Sequence, residues 1–391
     1  MKQTKQEVQT TQLKEGTAHG GRTQEQVNGE PIRGGNAPEW QLEERLAATV
    51  KQIKPLDEAA MQQAEQQLDR LTKPPGSLGR LEEIARQLAG ITGTLTPDLS
   101  RKAVVVMAGD HGVCEEGVSA FPQEVTPQMV LNFLRGGAAV NVLARHTGAN
   151  VVCVDIGVKT DLDEPGLIVR KVRHGTANMA RGPAMSRSEA LQAIAAGIEI
   201  VDGLVRDGCR LFATGEMGIG NTTPSAALLA VLGGTSVEEA VGRGTGISDE
   251  KLRIKRDAVR RSIEVNAPDA GDPLDVLSKV GGLEIAGLAG VILGAASHRC
   301  PVVIDGFISS AAALVASRIA PLSAAYMIAS HLSHERGHRQ LLDVIGLRPI
   351  LQMDMRLGEG TGAVLAFPIV EASVKLMNEM ATFESAGISK G

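Results

Sequence analysis

Three short stretches of this chain hold residue types that could do chemistry. The first is Gly215-Glu216-Met217-Gly218-Ile219-Gly220-Asn221-Thr222-Thr223-Pro224-Ser225, which follows an apolar run and leads into a helical one. Glycines let a backbone turn N–H groups toward an anion, and the helix that follows adds positive potential at its N-terminus. Thr223 is a good N-cap and Pro224 suits the first helical position, so the pattern predicts a helix over 224–232. Such a loop can hold a phosphate without net positive charge; composition alone also allows a plain tight turn. It is neither of the common nucleotide loops, since no Gly-Lys-Ser/Thr follows and Thr223 stands where a dinucleotide fingerprint has its last glycine. The second stretch is Gly358-Glu359-Gly360-Thr361-Gly362, where flanking glycines leave a carboxylate unshielded just before a helix. Glu359 is therefore either an acid open to a ligand or an exposed helix-start residue. The third, His334-Glu335-Arg336-Gly337-His338, is a literal H-E-x-x-H. On a helix its histidines would share a face that could hold zinc, with Glu335 acting on water. Gly337 weakens the helix such a site requires, and the third histidine of the long form is absent, so no metal is expected.

These loops need a scaffold, and the chain supplies a regular one. Four apolar, β-branched runs occur at 103–107, 150–154, 210–214 and 301–304, each ending in an acid beside a glycine: Asp110, Asp155, Glu216 and Asp305. Continuous rather than alternating apolarity predicts strands buried on both faces, joined by crossover helices into a parallel sheet. Ligands of open α/β sheets bind at the carboxyl ends of the strands, so those four ends are the place to look. Helical patterns run from Leu56 to Leu71 and again from near Leu78, and the tail from Gly362 to Phe383 reads as one long helix that returns to them. The expected fold is α/β: a Rossmann-like three-layer arrangement of a parallel sheet flanked by helices, with a small helical lobe formed by both chain ends. Its divisions are a disordered polar extension over 1–40, helices over 41–100 joined by 362–385, and a core over 101–361.

Composition excludes several classes of function. A net charge of −5 with mixed signs argues against nucleic acid, and the run Arg256–Arg261 reads as a solvated helix face. The polar N-terminus has no signal-like apolar segment, and the longest candidate span, 286–297, is too short to cross a membrane. Cys114, Cys153, Cys209 and Cys300 are widely spaced, consistent with reduced, mostly buried thiols. A cytoplasmic location is expected. His111, after the first run, reads as a histidine that structures its loop.

Taken in order, several motifs resemble one family. They are Lys73-Pro74-Pro75-Gly76-Ser77-Leu78-Gly79-Arg80-Leu81-Glu82, Gly109-Asp110-His111-Gly112-Val113, Phe121-Pro122-Gln123, Gln128-Met129, the loops 215–223 and 242–248, Asp305-Gly306-Phe307, Ser330-His331-Leu332-Ser333-His334 and Leu357-Gly358-Glu359-Gly360-Thr361-Gly362. Over about residues 41–385 the chain resembles the nicotinate-nucleotide–dimethylbenzimidazole phosphoribosyltransferases. The resemblance implies transfer of ribose phosphate from nicotinate mononucleotide to dimethylbenzimidazole in cobalamin lower-ligand assembly, by a homodimer without cofactor or metal. It implies Glu359 as catalytic base, with Glu216 and Lys255 as further active-site residues that position ribose and substrate. Gly218, Ile219, Gly220, Asn221, Thr222, Ser333 and Gly360 would serve the phosphate and nucleotide, and Ser119, Gln128, Leu357 and Gly358 the base. The rival to an enzyme is a non-catalytic nucleotide-binding protein of the same fold, in which Glu359 would have no reason to be a carboxylate.

Overall fold

A computed structural model describes residues 38–244 and 246–389. The polar extension read from the sequence lies outside these residues, apart from 38–40; of those, Glu39 and Trp40 already begin the helix Glu39–Gln52. The sheet has six parallel strands: β1 (Lys102–Gly109), β2 (Asn150–Gly157), β3 (Ile168–Val169), β4 (Leu211–Met217), β5 (Val302–Ile304) and β6 (Met327–Ala329). Their order is β3-β2-β1-β4-β5-β6, so the chain leaves the centre in one direction and then the other. β3 and β6, of two and three residues, add to the four strands expected.

Alternate residues of β1 face opposite ways, which divides the core. Ala103, Val105 and Met107 join one apolar cluster, with the helices Arg187–Arg206, Thr222–Gly233, Leu283–Ser297 and Phe307–Ile319. Val104, Val106 and Ala108 join the other, with Val130 and Phe133 of the helix Val125–Leu134, Val140 and Ala144 of Ala139–Thr147, and Val364, Phe367 and Val370 of Thr361–Glu379. This is the three-layer α/β architecture. A separate small cluster joins Ala60, Ala64 and Leu68 of the helix Glu58–Arg70, Ala85 and Ala89 of Arg80–Thr92, and Met377 near the end of Thr361–Glu379. The C-terminal helix thus packs beside helices from the other end of the chain.

The first-layer helix Arg187–Arg206 and the fully buried helix Leu283–Ser297 touch through glycines. A Cβ on Gly197 would lie 2.0 Å from the Gly287 carbonyl oxygen, and one on Gly290 would lie 2.0 Å from that of Ile194. Backbone-to-backbone contact brings the second helix close beneath the sheet. Glu284, in its first turn, ends behind the carboxyl end of β1.

Candidate active site

A cavity of about 330 Å³ opens at the carboxyl ends of β4, β5 and β6. Its walls come from six separate segments of the chain, one of them Gly244 alone. Glu216, Met217, Gly218, Ile219, Asn221 and Thr222 continue β4; Gly306 to Ser309 continue β5; His331, Ser333 and Glu335 follow β6; Arg356 to Glu359 and Phe121, Val125 and Met129 close the rest.

The glycine loop is fixed from behind. Ile219 donates its N–H to Thr126 Oγ1 at 3.1 Å and accepts from Cys114 Sγ at 3.1 Å, so its own N–H is already engaged. Gly220 has φ +92°, a conformation glycine adopts without a steric penalty, and a Cβ there would stand 2.5 Å from Cys114 Sγ. A Cβ on Gly218 would meet the Gly109 carbonyl oxygen at 2.4 Å. Behind it His111 is buried and hydrogen-bonded through Nε2 to Glu284 Oε1 at 2.8 Å. Burial opposes a charge on His111, but the carboxylates of Glu284 and Asp110 outweigh it and raise the imidazole pKa. The helix starts earlier than expected, at Thr222 with Asn221 in the N-cap position, and no side chain caps it. Thr223 lies inside the first turn with its hydroxyl buried and unpartnered. Asn221 has helical φ −62° and ψ −20°, and its side-chain amide donates to Glu216.

Glu216 is buried, and burial pushes its carboxyl up to about 8, assisted by the charges of Asp305 and Glu284 and opposed by Asn221 and the Glu359 N–H. Lys255 does not line the cavity. From the helix Asp249–Asn266 its ammonium donates to Thr222 Oγ1 at 2.7 Å and to the Gly242 carbonyl at 3.2 Å, tying the start of the helix Thr222–Gly233 to the glycine run that begins at 242. Burial lowers it to about 8 against the pull of Glu335.

Glu359 lies on the cavity wall in a left-handed conformation, φ +63°, between Gly358 at +88° and Gly360 at +92°. The φ at Gly358 favours glycine, and a Cβ there would fall 2.2 Å from Glu216 Oε1, which would have to move. The Glu359 carboxyl is raised by burial and by Asp305, with the Val140 backbone N–H pulling the other way; its Oε2 is buried without a hydrogen-bond partner.

Of the other residues singled out in the sequence, Leu357 lines the cavity and is half-exposed. Ser333 lines it, next to Gly306, while Gly360 is not among the lining residues and donates its N–H to Asp305. The structure does not bring Ser119 or Gln128 to the cavity. Ser119 accepts from Phe121 N–H and, through its carbonyl, from Lys251, and Gln128 is exposed. Val125 and Met129, four apart and on one helical face, are the residues turned inward, one position round from Gln128. The four acids that end strands also divide. Glu216 alone lines the cavity, while Asp110, Asp155 and Asp305 are buried and accept backbone N–H groups of nearby loops.

The H-E-x-x-H residues have other partners. His338 only begins the helix His338–Ile345, so the two histidines share no helix. His338 Nδ1 accepts from Ser333 N–H at 2.8 Å and Nε2 meets Ser310 Oγ at 2.9 Å, which occupies both ring nitrogens. Burial drives its pKa down to about 3, so the ring is neutral. Glu335 accepts from Gly244 N–H. Among the described residues, no three His, Cys, Asp or Glu side chains gather as metal ligands would.

The cavity brings together a glycine loop at a helix start, the apolar side chains of Phe121, Val125, Met129 and Leu357, and the buried residues Glu216 and Glu359. Residues 53–388 match a family model described as a phosphoribosyltransferase. A nicotinate-nucleotide–dimethylbenzimidazole phosphoribosyltransferase of Desulforamulus reducens is 60% identical over 348 residues, 88% of this chain and 99% of that protein. One from Geotalea uraniireducens is 57% identical over 90% of this chain and 99% of its own length. The chain belongs to this family. The crystal structure of the family's enzyme from Thermus thermophilus superposes with a TM-score of 0.82 at 50% identity, covering 86% of this chain and all of that one. The protein is thus a transferase that moves a phosphoribosyl group. No helix among the described residues is long and apolar enough to cross a membrane.

Proposed function

We propose that the protein transfers the ribose phosphate of nicotinate mononucleotide to dimethylbenzimidazole or a related base, giving nicotinate and α-ribazole phosphate for the lower ligand of cobalamin. One observation supports this reading beyond the family itself: Glu359, its carboxyl raised by burial, lines a cavity that also carries a glycine loop and apolar side chains. The ribose phosphate suits the glycine loop, the start of the helix Thr222–Gly233 and the Ser333 hydroxyl. The flat base suits Phe121, Val125, Met129 and Leu357.

In the reaction, the bond from the anomeric carbon to the nicotinate ring nitrogen breaks, and its electron pair returns to that nitrogen. The pyridinium leaves as a neutral pyridine and needs no acid. A benzimidazole nitrogen attacks from the opposite face, so the configuration inverts from β to α. The proton on its other nitrogen passes to Glu359 as positive charge builds on the ring. Burial and Asp305 raise the Glu359 carboxyl, which strengthens it as a base. Glu216 sets a second carboxyl beside the ribosyl centre, and Lys255 holds Thr222 in place.

The same reading makes the protein a cytoplasmic homodimer. The four cysteines are free thiols, as a reducing compartment favours, and sedimentation should give twice 41.0 kDa. The direct test is incubation with nicotinate mononucleotide and an equimolar mixture of benzimidazoles, purines and phenols, with products identified by mass and anomeric configuration by NMR. Formation of an α-riboside phosphate together with nicotinate supports the proposal. A folded protein that yields no riboside, or a β product, overturns it.

A further inference from the structure

The turn that carries Glu359 is held from a direction the reaction does not use. Three consecutive residues, Gly358, Glu359 and Gly360, have positive φ, and only the outer two are glycines. A left-handed glutamate persists only where its surroundings over-determine it. Asp305, which is 1% exposed and does not line the cavity, supplies much of that determination. Its Oδ2 accepts the Gly360 N–H at 3.1 Å, and its Oδ1 accepts the Ala363 N–H at 3.0 Å. One carboxylate thus joins the strained turn to the first turn of the helix Thr361–Glu379.

Asp305 is itself fixed on both sides. Its N–H donates to Thr214 Oγ1 at 3.2 Å and its carbonyl accepts from Ser330 Oγ at 3.2 Å, tying it to the middle of β4 and to the residue after β6. Burying a carboxylate is costly, and a neutral cap would be easier to bury. Two diverging N–H donors, however, require two acceptor oxygens in one planar group. Asparagine would offer one and turn its own N–H₂ against the second donor. On the other side of the turn the Glu359 N–H is 3.4 Å from Glu216 Oε1, so the turn hangs between two buried carboxylates. The titratable groups around it are Glu216 from β4, Asp305 from β5, His331 from β6 and Arg356 from its own segment.

We propose that Asp305 is a positioning residue for the base: it holds the 358–360 turn in the left-handed form that keeps Glu359 in the cavity wall. This rests on Glu359 being the base, and a double-mutant cycle separates the two claims. Asp305→Asn is expected to lower kcat by a factor approaching, and not exceeding, the ~10²–10⁴-fold loss of general-base catalysis in Glu359→Gln. The Kd of nicotinate mononucleotide, by calorimetry on each variant, is expected to be unchanged. In Glu359→Gln protein, adding Asp305→Asn is expected to cost nothing more in kcat, because the group it positions is already gone.

Should Asp305→Asn fail to fold, Ser330→Ala loosens Asp305 while leaving its carboxylate. It is expected to give a smaller kcat loss that likewise vanishes in the Glu359→Gln background. Losses that multiply in the double variant overturn the proposal, as does a rise in Kd as large as the fall in kcat. Glu359→Gln alone turning over near the wild-type rate overturns the underlying base assignment instead.

Discussion

At the scale of single residues, the site depends on carboxyls kept from water. Glu359 loses basicity but little shape on conversion to glutamine, so Glu359→Gln should lower turnover by about 10²–10⁴-fold with nicotinate mononucleotide affinity nearly unchanged. Single-turnover kinetics beside calorimetry checks both halves of that expectation. Glu216 yields a prediction about stability. Its folded carboxyl is raised to about 8 from 4.5, so between these values the folded protein holds a proton that the unfolded chain has released. Its contribution is therefore fully favourable below the unfolded value and is lost as pH rises toward 8. Lys255, lowered from 10.5 to about 8, acts above that range and with opposite sign. Melting temperatures of the free enzyme followed from about pH 5 to 8 should fall less in Glu216→Gln than in wild type; an equal fall would mean Glu216 is ionised throughout. Glu359 stands out in the sequence because glycines flank it. Asp305 does not: an acid after a strand looks the same whether it faces a ligand or captures N–H groups in the dark of the core.

At the scale of elements, what can be read from the sequence is set by length and by local chemistry. Strands of seven or eight residues buried on both faces leave long apolar runs, and β1, β2 and β4 are plain. β3, of two residues, is too short to leave a run; β6 is no shorter than β5 but lacks the acid and glycine that mark the end of β5. The helix after the glycine loop is expected with Thr223 as cap, yet it begins at Thr222, with Asn221 already in a helical conformation and no side-chain cap made. Gln128 is one position from the inward face that Val125 and Met129 form, a difference that motif matching cannot see and helical geometry can. The glycine loop permits a sharper test. Gly220 does not itself line the cavity, but a side chain there would be strained at its φ and would collide with Cys114. Gly220→Val is thus expected to displace the loop and weaken nicotinate mononucleotide binding far more than benzimidazole binding. Equal losses in calorimetry would indicate general misfolding.

At the scale of the whole molecule, the site is assembled from segments far apart in the chain, and spacing in the sequence could not show that Phe121, Glu216, Ser333 and Glu359 share one cavity. The parallel sheet brings them together, and the sheet depends in turn on the seam between the helices Arg187–Arg206 and Leu283–Ser297. Alanine in a helix is ordinarily favoured over glycine by roughly 0.5–1 kcal/mol. At Gly197 the sign should reverse, since the new methyl would meet a carbonyl oxygen at 2.0 Å and overpacking commonly costs about 1–3 kcal/mol. Thermal denaturation of Gly197→Ala checks this; an unchanged or raised midpoint would show that the seam opens freely. Parting these helices also moves Glu284, and with it His111 behind the glycine loop. The seam therefore has a genetic signature. A collection of alleles selected for loss of ribosyl transfer should contain changes at Gly197 and Gly290 as well as at Glu359, and growth temperature should sort them. Seam alleles should recover function in the cold, where a marginal fold regains its population, while alleles lacking the base should stay null at every temperature.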